Sequence, residues 1–436
     1  MDYRSMVQAS MNYIEDNLTA NISAKELALQ AGFSLYHFCR MFRLTTGFPV
    51  MRYVLRRRLL HAVYDMERGC SGIDAALAYG FDTYAGFYKA FQREFDCTPA
   101  EYLRLRRASR PYRPNIYKEA VMSITRESAA TLLKHWHLEG RPVREVYCEG
   151  TGNQKAHCFE VDGQYILKYT DRPGRIENQR ILAQALASSG LTAAAPLPAA
   201  SGLPYVQEGE MYFSLTPRIP GHSLSVSELY SDGGADKAAF VGEILGQLHS
   251  ALATIDENSI CLHDADLLAT VRDWALPKAG ALLGIGEEFR RDFLTRLGAL
   301  YPVLPRQIIH RDPNPGNILL CGKDWAFIDF ELSEKNARLY DPCYAALAIL
   351  SEHYPSGAQT WPALARALLL GYDRVAHLTD EEKACIPCML LANQLVCVAW
   401  FAGQEKYADC FEINRQMSLL LMELLKRGEF SESIFL

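Results

Sequence analysis

The sequence predicts a multidomain chain, with an all-α head of two helix-turn-helix units followed by an α+β body of two lobes. Three observations carry that expectation. Charge is divided unevenly: residues 1–113 hold 16 Lys and Arg against 11 Asp and Glu, a net +5, while the rest hold 29 against 40, a net −11. A short helix, a glycine turn and a second helix then occur twice within the basic segment. Further on, an apolar run leads into a polar loop with an acid and an amide at fixed spacing, and a second acid follows.

Length and composition bound the rest. At 436 residues a chain is expected to fold as about three compact units. Its 49% hydrophobic and 22% charged residues exclude a disordered or fibrous class. No apolar run follows the starting Met-Asp-Tyr-Arg, so no secretory leader is expected. The longest apolar stretch, near 388–403, is interrupted by Asn393 and Gln394, so it is expected to be a buried helix and no membrane partner is expected. Twelve cysteines without a leader predict reduced thiols and a cytoplasmic location. Cys385 and Cys388 have neither a second pair nor a histidine at ligand spacing, so no metal site is expected there.

In the head, Ser23 with Glu26 three positions on is a capping pattern, and the helix it opens stops at Gly32. Ser34 opens a second helix that ends near Gly47. Phe38, Met41 and Phe42 recur at i, i+3, i+4 and face inward, which leaves Leu35, Tyr36, Cys39, Arg40 and Arg43 outward as candidate DNA contacts. A helix of about 18 residues from Pro49 to Met66 follows, roughly 27 Å long at ~1.5 Å per residue. The pattern returns from Gly72 to Gly80 and again from Thr83 to Phe95. There Phe87, Ala90 and Phe91 are inward, and Tyr84, Ala85, Tyr88, Lys89 and Gln92 are the outward candidates. Fourteen of the sixteen cations in this segment are arginine, whose planar fork suits phosphates and guanine edges.

Residues 5–107 resemble the AraC/XylS-type DNA-binding domain. The resemblance rests on I-D-A-A-L-A-Y-G-F and K-A-F-Q-R-E-F-D-C-T-P-A-E-Y-L in the second unit. It implies double-stranded operator DNA as partner. Two readers on one chain permit binding as a monomer and leave a dimer open. Asp96 stands at a turn position usually held by glycine, and Gly86 lies inside the second recognition helix, where glycine costs about 1 kcal/mol relative to alanine.

The expected division is a head over 1–108, a linker over 109–124 with Pro111 and Pro114, a small lobe over 125–220 and a mostly helical large lobe over 221–436. In the body, Val143–Cys148 reads as a strand, Glu149-Gly150-Thr151-Gly152-Asn153 as a flexible turn and Lys155–Val161 as a returning strand. Asp162-Gly163 then makes a tight hairpin into an apolar strand ending at Lys168. An ammonium on such a strand needs a partner, most simply the phosphates of a nucleotide, with Glu177 on the next helix as counterion.

The central motif is His310-Arg311-Asp312-Pro313-Asn314-Pro315-Gly316-Asn317, with Asp329 inside Ala-Phe-Ile-Asp-Phe-Glu. Phosphoryl transfer needs a carboxylate to take the proton of the attacking hydroxyl, and oxygen ligands for Mg²⁺. Asp312 is the candidate base, Asn317 and Asp329 the candidate metal ligands, and His310 and Arg311 complete the catalytic candidates.

Together these features resemble the aminoglycoside phosphotransferase and choline-kinase superfamily, a protein-kinase-like fold, from about residue 125 onward. The resemblance implies ATP or GTP with Mg²⁺ as cofactors and Gly150 and Gly152 over the phosphates. It also places backbone near Thr216 to Arg218 against the base, and implies a small hydroxylated acceptor. Glu331, Glu334 and Asp341 on the acidic body would suit an amino sugar or amino alcohol, and Asp341 is expected to cap its helix or steady the loop. A second reading stays open at this point, in which the body senses nucleotide or a small ligand without transferring phosphate.

Overall fold

The computed structural model describes residues 3–95, 97–104, 108, 111, 113–116, 124–147, 154–209, 211–322, 324–404 and 407–430. Asp96, Gly150 and Gly152 therefore lie outside the described residues. The chain forms two compact units. One comprises Met1–Asp171 with Leu197–Thr216, the other Arg172–Pro196 with Pro217–Leu436.

The first unit opens with seven helices: α1 (Tyr3–Asp16), α2 (Ala24–Gln30), α3 (Leu35–Thr46), α4 (Val50–Glu67), α5 (Gly72–Ala78), α6 (Tyr84–Phe95) and α7 (Pro99–Arg104). The capping box at α2 forms as expected: the Ser23 hydroxyl accepts from the Glu26 N–H at 3.2 Å, and the Glu26 carboxylate accepts from the Ser23 N–H at 3.1 Å. Ser34 caps α3, and Gly47 ends it with φ 78°, a left-handed conformation that suits glycine. Phe38 and Phe42 are fully buried beside Val7, Met11 and Ile14 of α1, and Phe87, Phe91 and Phe95 build a second core with Leu59 and Val63. The sequence reading began at Ser23 and omitted α1, whose i, i+4, i+7 apolar stripe closes the first core.

Not all the arginines of the head are held for phosphates or guanine edges: two on α4 are buried in ion pairs. Arg57 grips Glu15 of α1 through two bonds of 2.6 and 2.9 Å, and both side chains are at most 7% exposed. Arg56 is also buried, bonded to Glu94 at 2.8 Å, with its guanidinium 4.8 Å from the Phe95 ring centre. Helical periodicity brought these charges inside, where carboxylates neutralise them. Glu15→Ala is expected to destabilise the head by about 3–5 kcal/mol, because it strands a buried guanidinium. Burial raises the Glu15 pKa, but His61 and Arg57 outweigh it and hold the carboxyl below its ordinary 4.5. The pair's contribution is therefore complete above pH 4.5 and disappears as pH falls through the lowered value. Chemical denaturation followed at several pH values checks both statements.

The remainder of this unit is α8 (Arg126–Leu132) and a five-stranded sheet of order β1-β2-β3-β5-β4, made of β1 (Val143–Tyr147), β2 (Gln154–Val161), β3 (Tyr165–Thr170), β4 (Val206–Glu208) and β5 (Met211–Pro217). β1 and β2, β2 and β3, and β4 and β5 pair antiparallel. Asp162 and Gly163 both take positive φ, 52° and 67°, as a two-residue hairpin requires. Leu167 and Tyr169 point into a core with Leu132, Trp136 and Phe213, so the period-2 alternation puts Lys168 on the opposite face. Lys168 thus lies within β3, paired with Cys158 of β2, and not at the strand's end.

The second unit begins with α9 (Pro173–Ser188) and β6 (His222–Ser223). The helices α10 (Val226–Leu229), α11 (Gly234–Leu252), α12 (Leu267–Thr270), α13 (Leu276–Leu283) and α14 (Glu287–Leu300) follow. After them come β7 (Arg306–Ile309), β8 (Ile318–Cys321), β9 (Asp324–Phe327) and β10 (Glu334–Ala337). The chain closes with α15 (Tyr340–Ser351), α16 (Trp361–Ala376), α17 (Asp380–Phe401) and α18 (Ala408–Lys426). Two small antiparallel sheets, β7 with β10 and β6-β8-β9, frame the candidate site. α11 and α16 touch through glycines: a Cβ on Gly242 would stand 1.9 Å from the Leu368 carbonyl oxygen, and one on Gly371 would stand 2.0 Å from that of Ala239.

α17 contains the long apolar stretch, and 67% of its most apolar window is buried inside this unit, as a core helix requires. Cys385 and Cys388 are buried on it. Among the described residues every cysteine is a free thiol, and no cluster of three His, Cys, Asp or Glu side chains forms a metal cage.

Candidate active site and nucleic-acid interface

The loop after β7 is fixed from below by Asp341, near the start of α15. Its carboxylate is fully buried and accepts the backbone N–H of His310 at 2.8 Å and of Arg311 at 2.9 Å. The same carboxylate accepts from His249 Nε2 at 2.9 Å, and His249 Nδ1 accepts the Tyr372 hydroxyl at 2.7 Å. A buried charge is tolerated because three donors satisfy it. Asp341 therefore steadies the loop, and Leu339 stands at the helix cap position instead.

His310 is fully buried. Its Nε2 donates to the Ile328 carbonyl at 3.0 Å, which leaves Nδ1 to accept the Asp312 N–H at 3.3 Å. His310 thus ties the loop to the strand before Asp329, and burial keeps it from contact with a substrate. Arg311 takes φ 70°, uncommon for a residue with a side chain, and its guanidinium lies 3.2 Å from Glu334. Glu334 also accepts from Asn336 at 2.9 Å. Both Glu334 and Asp341 are thereby engaged in holding the loop and are not available to a cationic acceptor.

Asp312 is half-buried at the surface of this framework. Its Oδ1 accepts from Asn314 at 2.8 Å and from the Tyr344 hydroxyl at 2.9 Å, while its Oδ2 accepts from Asn317 Nδ2 at 3.1 Å. Asn317 Nδ2 also donates to the Asp312 carbonyl at 2.9 Å. Among the described residues none donates to Asn317 Oδ1, so that oxygen is left to accept or to ligate. The Ile328 N–H donates to the Asn317 carbonyl at 3.0 Å, which ties the segment leading to Asp329 to the loop. Asp329 then takes φ 73°. Two non-glycine residues in left-handed backbone mark this loop pair as a place where strain is held by surrounding bonds.

Burial raises the Asp312 pKa above its ordinary value, opposed by the Asn314 bond, the His310 ring and the Tyr344 bond, and reinforced by the charge of Asp329. Any activity that uses Asp312 as a base is therefore lost on acidification at a higher pH than an ordinary aspartate would give. Tyr344→Phe removes a donor that lowers the pKa, so the acid limb of its kcat/KM profile moves to still higher pH. A limb that stays in place or moves down would contradict this. Tyr344 and Asn314 were not singled out from the sequence. The signal for Tyr344 lies in its i+3 spacing from Asp341 on one helix.

Glu352 follows α15. The residue as a whole is exposed, yet the protein atoms crowding its carboxyl, with a smaller contribution from the Asp312 charge, push that carboxyl up to about 7. Glu177 on α9 is held by Arg180 one turn on, with bonds of 2.5 to 3.1 Å, so its described partner is an arginine of its own helix. In the other unit Lys168 is half-buried on β3, and the Thr216 hydroxyl, buried on β5, donates to the Ile166 carbonyl at 3.4 Å. Arg218 is exposed beyond the end of β5.

The head presents its first reader as expected. Leu35, Tyr36, Arg40 and Arg43 are exposed on α3, while Cys39 is half-buried against the core. Among the described residues Arg40 and Arg43 form no side-chain hydrogen bond or ion pair. On α6, Ala85, Lys89 and Gln92 are exposed. Tyr84 and Tyr88 are half-buried, and the Tyr84 ring lies against Gly72 and 5.7 Å from Phe87, which turns it partly inward from its expected place.

Residues 147–382 match the phosphotransferase enzyme family, and residues 27–105 match a helix-turn-helix domain family. The chain is 32% identical over 99 residues to the HTH-type transcriptional activator AarP of Providencia stuartii, covering 22% of this chain and 73% of that protein. It is 29% identical over 103 residues to the regulatory protein SoxS of Salmonella typhimurium, covering 23% and 96%. It is 33% identical over 105 residues to the transcriptional regulator Rob of Salmonella typhimurium, of which it spans only 36%. Among solved structures, a microcompartment-associated aminopropanol kinase superimposes with a TM-score of 0.53 at 18% identity, covering 70% of this chain and 98% of that one, a likeness of fold. With more than half its length matched, the chain belongs to the phosphotransferase enzyme family and carries an AraC-type helix-turn-helix head.

Proposed function

We propose that the body transfers the terminal phosphoryl group of ATP or GTP to a hydroxyl of a small amine-bearing molecule, an amino sugar or amino alcohol. The head binds double-stranded operator DNA, so the chain is a cytoplasmic transcription regulator with its own kinase. The observation that supports this best is the Asp312 carboxylate. One of its oxygens is filled by Asn314 and Tyr344, and the other, with a single donor, has room for an acceptor hydroxyl. Asp312 would take the proton of that hydroxyl as the new bond to phosphorus forms.

The residues present fit Mg²⁺. Asn317 has Oδ1 without a described donor and Asp329 supplies a carboxylate, two oxygen donors of the kind that Mg²⁺ takes while it keeps waters and phosphate oxygens. When bound, the ion would neutralise phosphate charge. Asn317 and Asp329 would hold it, Lys168 would meet the phosphates with Glu177 nearby, and Gly150 and Gly152 would cover them. The base would rest on backbone near Thr216 and Arg218. Glu352 supports an amine-bearing acceptor: it is exposed and its carboxyl feels the Asp312 charge, so an ammonium arriving there would favour its ionised form. The proposed functional boundaries are 1–108 for the head, 109–124 for the linker, 125–220 for the small lobe and 221–436 for the large lobe.

Calorimetric titration of ATP and GTP into the full chain tests the cofactor assignment. Binding is expected with Mg²⁺ and at least tenfold weaker in Asp329→Asn. Absence of nucleotide binding with Mg²⁺ would overturn it.

A further inference from the structure

Within the first unit the head is clamped onto the small lobe. Glu145 of β1 meets Arg56 at 2.9 Å and Glu127 of α8 meets Arg52 at 3.1 Å, while both arginines share Glu94, at 2.8 and 3.2 Å. Arg56, Glu94 and Glu145 are at most 12% exposed, so this is a desolvated chain of alternating charge spanning two folding modules. The clamp turns the outward face of α3 toward α8 and the β4–β5 hairpin, and between them lies a cavity of about 800 Å³. That volume falls in the range of small-molecule sites, roughly 300–1,000 Å³.

The two sides of the cavity differ chemically. Tyr36, Arg40 and Arg43 of the recognition helix form one side, with no described partner for either guanidinium. Ile124, Leu132, Met211 and Phe213 form an apolar wall opposite. Glu208 is the only acid among the described lining residues, which together carry a net charge of +1. An anionic group joined to an apolar body satisfies both sides at once. Tyr36, Arg40 and Arg43, which line the cavity, are exposed and are the same side chains that the operator reading assigns to DNA. A ligand seated on them and a duplex read by α3 therefore claim the same groups.

We propose that this cavity binds a small amphiphilic anion, a carboxylate, sulfonate or phosphate on an apolar body, and that its occupation and operator binding through α3 exclude each other. The exclusion rests on the operator-binding reading, whereas the site itself does not. The ligand bridges Arg40 and Arg43 to the small lobe, and a duplex read by α3 has to displace it from those arginines. Ligand and DNA then compete for one population, as reciprocal linkage demands.

The probe is 8-anilinonaphthalene-1-sulfonate titrated calorimetrically into the full chain. Saturable binding is expected, with affinity at least tenfold lower in Thr131→Trp, which fills the cavity from the exposed side of α8. Met51→Trp, an exposed lining position on α4, serves where Thr131→Trp does not fold. Equal affinity in a folded filling variant and the parent chain overturns the site. The second arm uses a duplex selected in vitro. Saturating probe is expected to weaken duplex binding at least tenfold in the parent but not in the filling variant, and unchanged duplex affinity overturns the exclusion. If selection yields no duplex, the operator reading and the exclusion fail together, while the calorimetric arm still decides the cavity.

Discussion

Asp312→Ala lowers phosphoryl transfer by about 10²–10⁴-fold, the usual contribution of a positioned general base, while nucleotide affinity stays within about twofold. The separation follows from geometry. Removing the carboxylate takes away the bonds from Asn314, Tyr344 and Asn317 Nδ2 to its oxygens, but the loop backbone stays held by Asp341 on the His310 and Arg311 N–H groups, by His310 on the Asp312 N–H and by Asn317 Nδ2 on the Asp312 carbonyl. What disappears is the oxygen that takes a proton. Asp312→Asn is the stricter version, since it keeps volume and removes basicity. Steady-state transfer with a coupled assay measures kcat, and calorimetry measures nucleotide affinity. Undiminished transfer in either variant would remove Asp312 from the chemistry.

Replacing Arg40 and Arg43 together by alanine weakens operator binding by about 10²-fold or more, on the scale of about 1–3 kcal/mol for each arginine that reads a base edge or phosphate. The structure leaves these two guanidiniums exposed and without described partners, in contrast to Arg52, Arg56 and Arg57, which are spent on Glu94, Glu127, Glu145 and Glu15. Alanine at Arg40 and Arg43 should therefore leave stability nearly unchanged, so lost binding is not lost folding. Each phosphate contact removed also lowers the salt slope of binding by about one. Affinity measured at several salt concentrations separates the two kinds of contact, and unchanged affinity would defeat the assignment of α3.

Much of this was legible in the sequence because it is local. Capping residues, glycine stops and apolar spacing at i, i+3, i+4 sit within a dozen residues, so the boundaries of α2, α3 and α6 were within reach, as was the loop holding Asp312 and Asn317. What escaped depends on distant partners. Nothing near Arg57 announces Glu15, 42 positions away, and nothing near Asp312 announces Tyr344, 32 positions on. Counting arginines as suited to phosphates and guanine edges missed these pairs for the same reason: the charges of α4 that turn inward need acids from α1, α6 and the small lobe. Glu334 and Asp341 looked like acceptor-binding acids because a sequence shows charge but not burial. That Glu352 feels the Asp312 charge was equally invisible.

The most direct test follows ³¹P nuclear magnetic resonance of the full chain with ATP or GTP, Mg²⁺ and a panel of amino sugars and amino alcohols, beside Asp312→Ala. The account predicts a new phosphomonoester resonance with at least one acceptor, its formation collapsing in the variant. Bound nucleotide that yields no phosphomonoester with any member of the panel would contradict it and leave a body that senses without transferring phosphate.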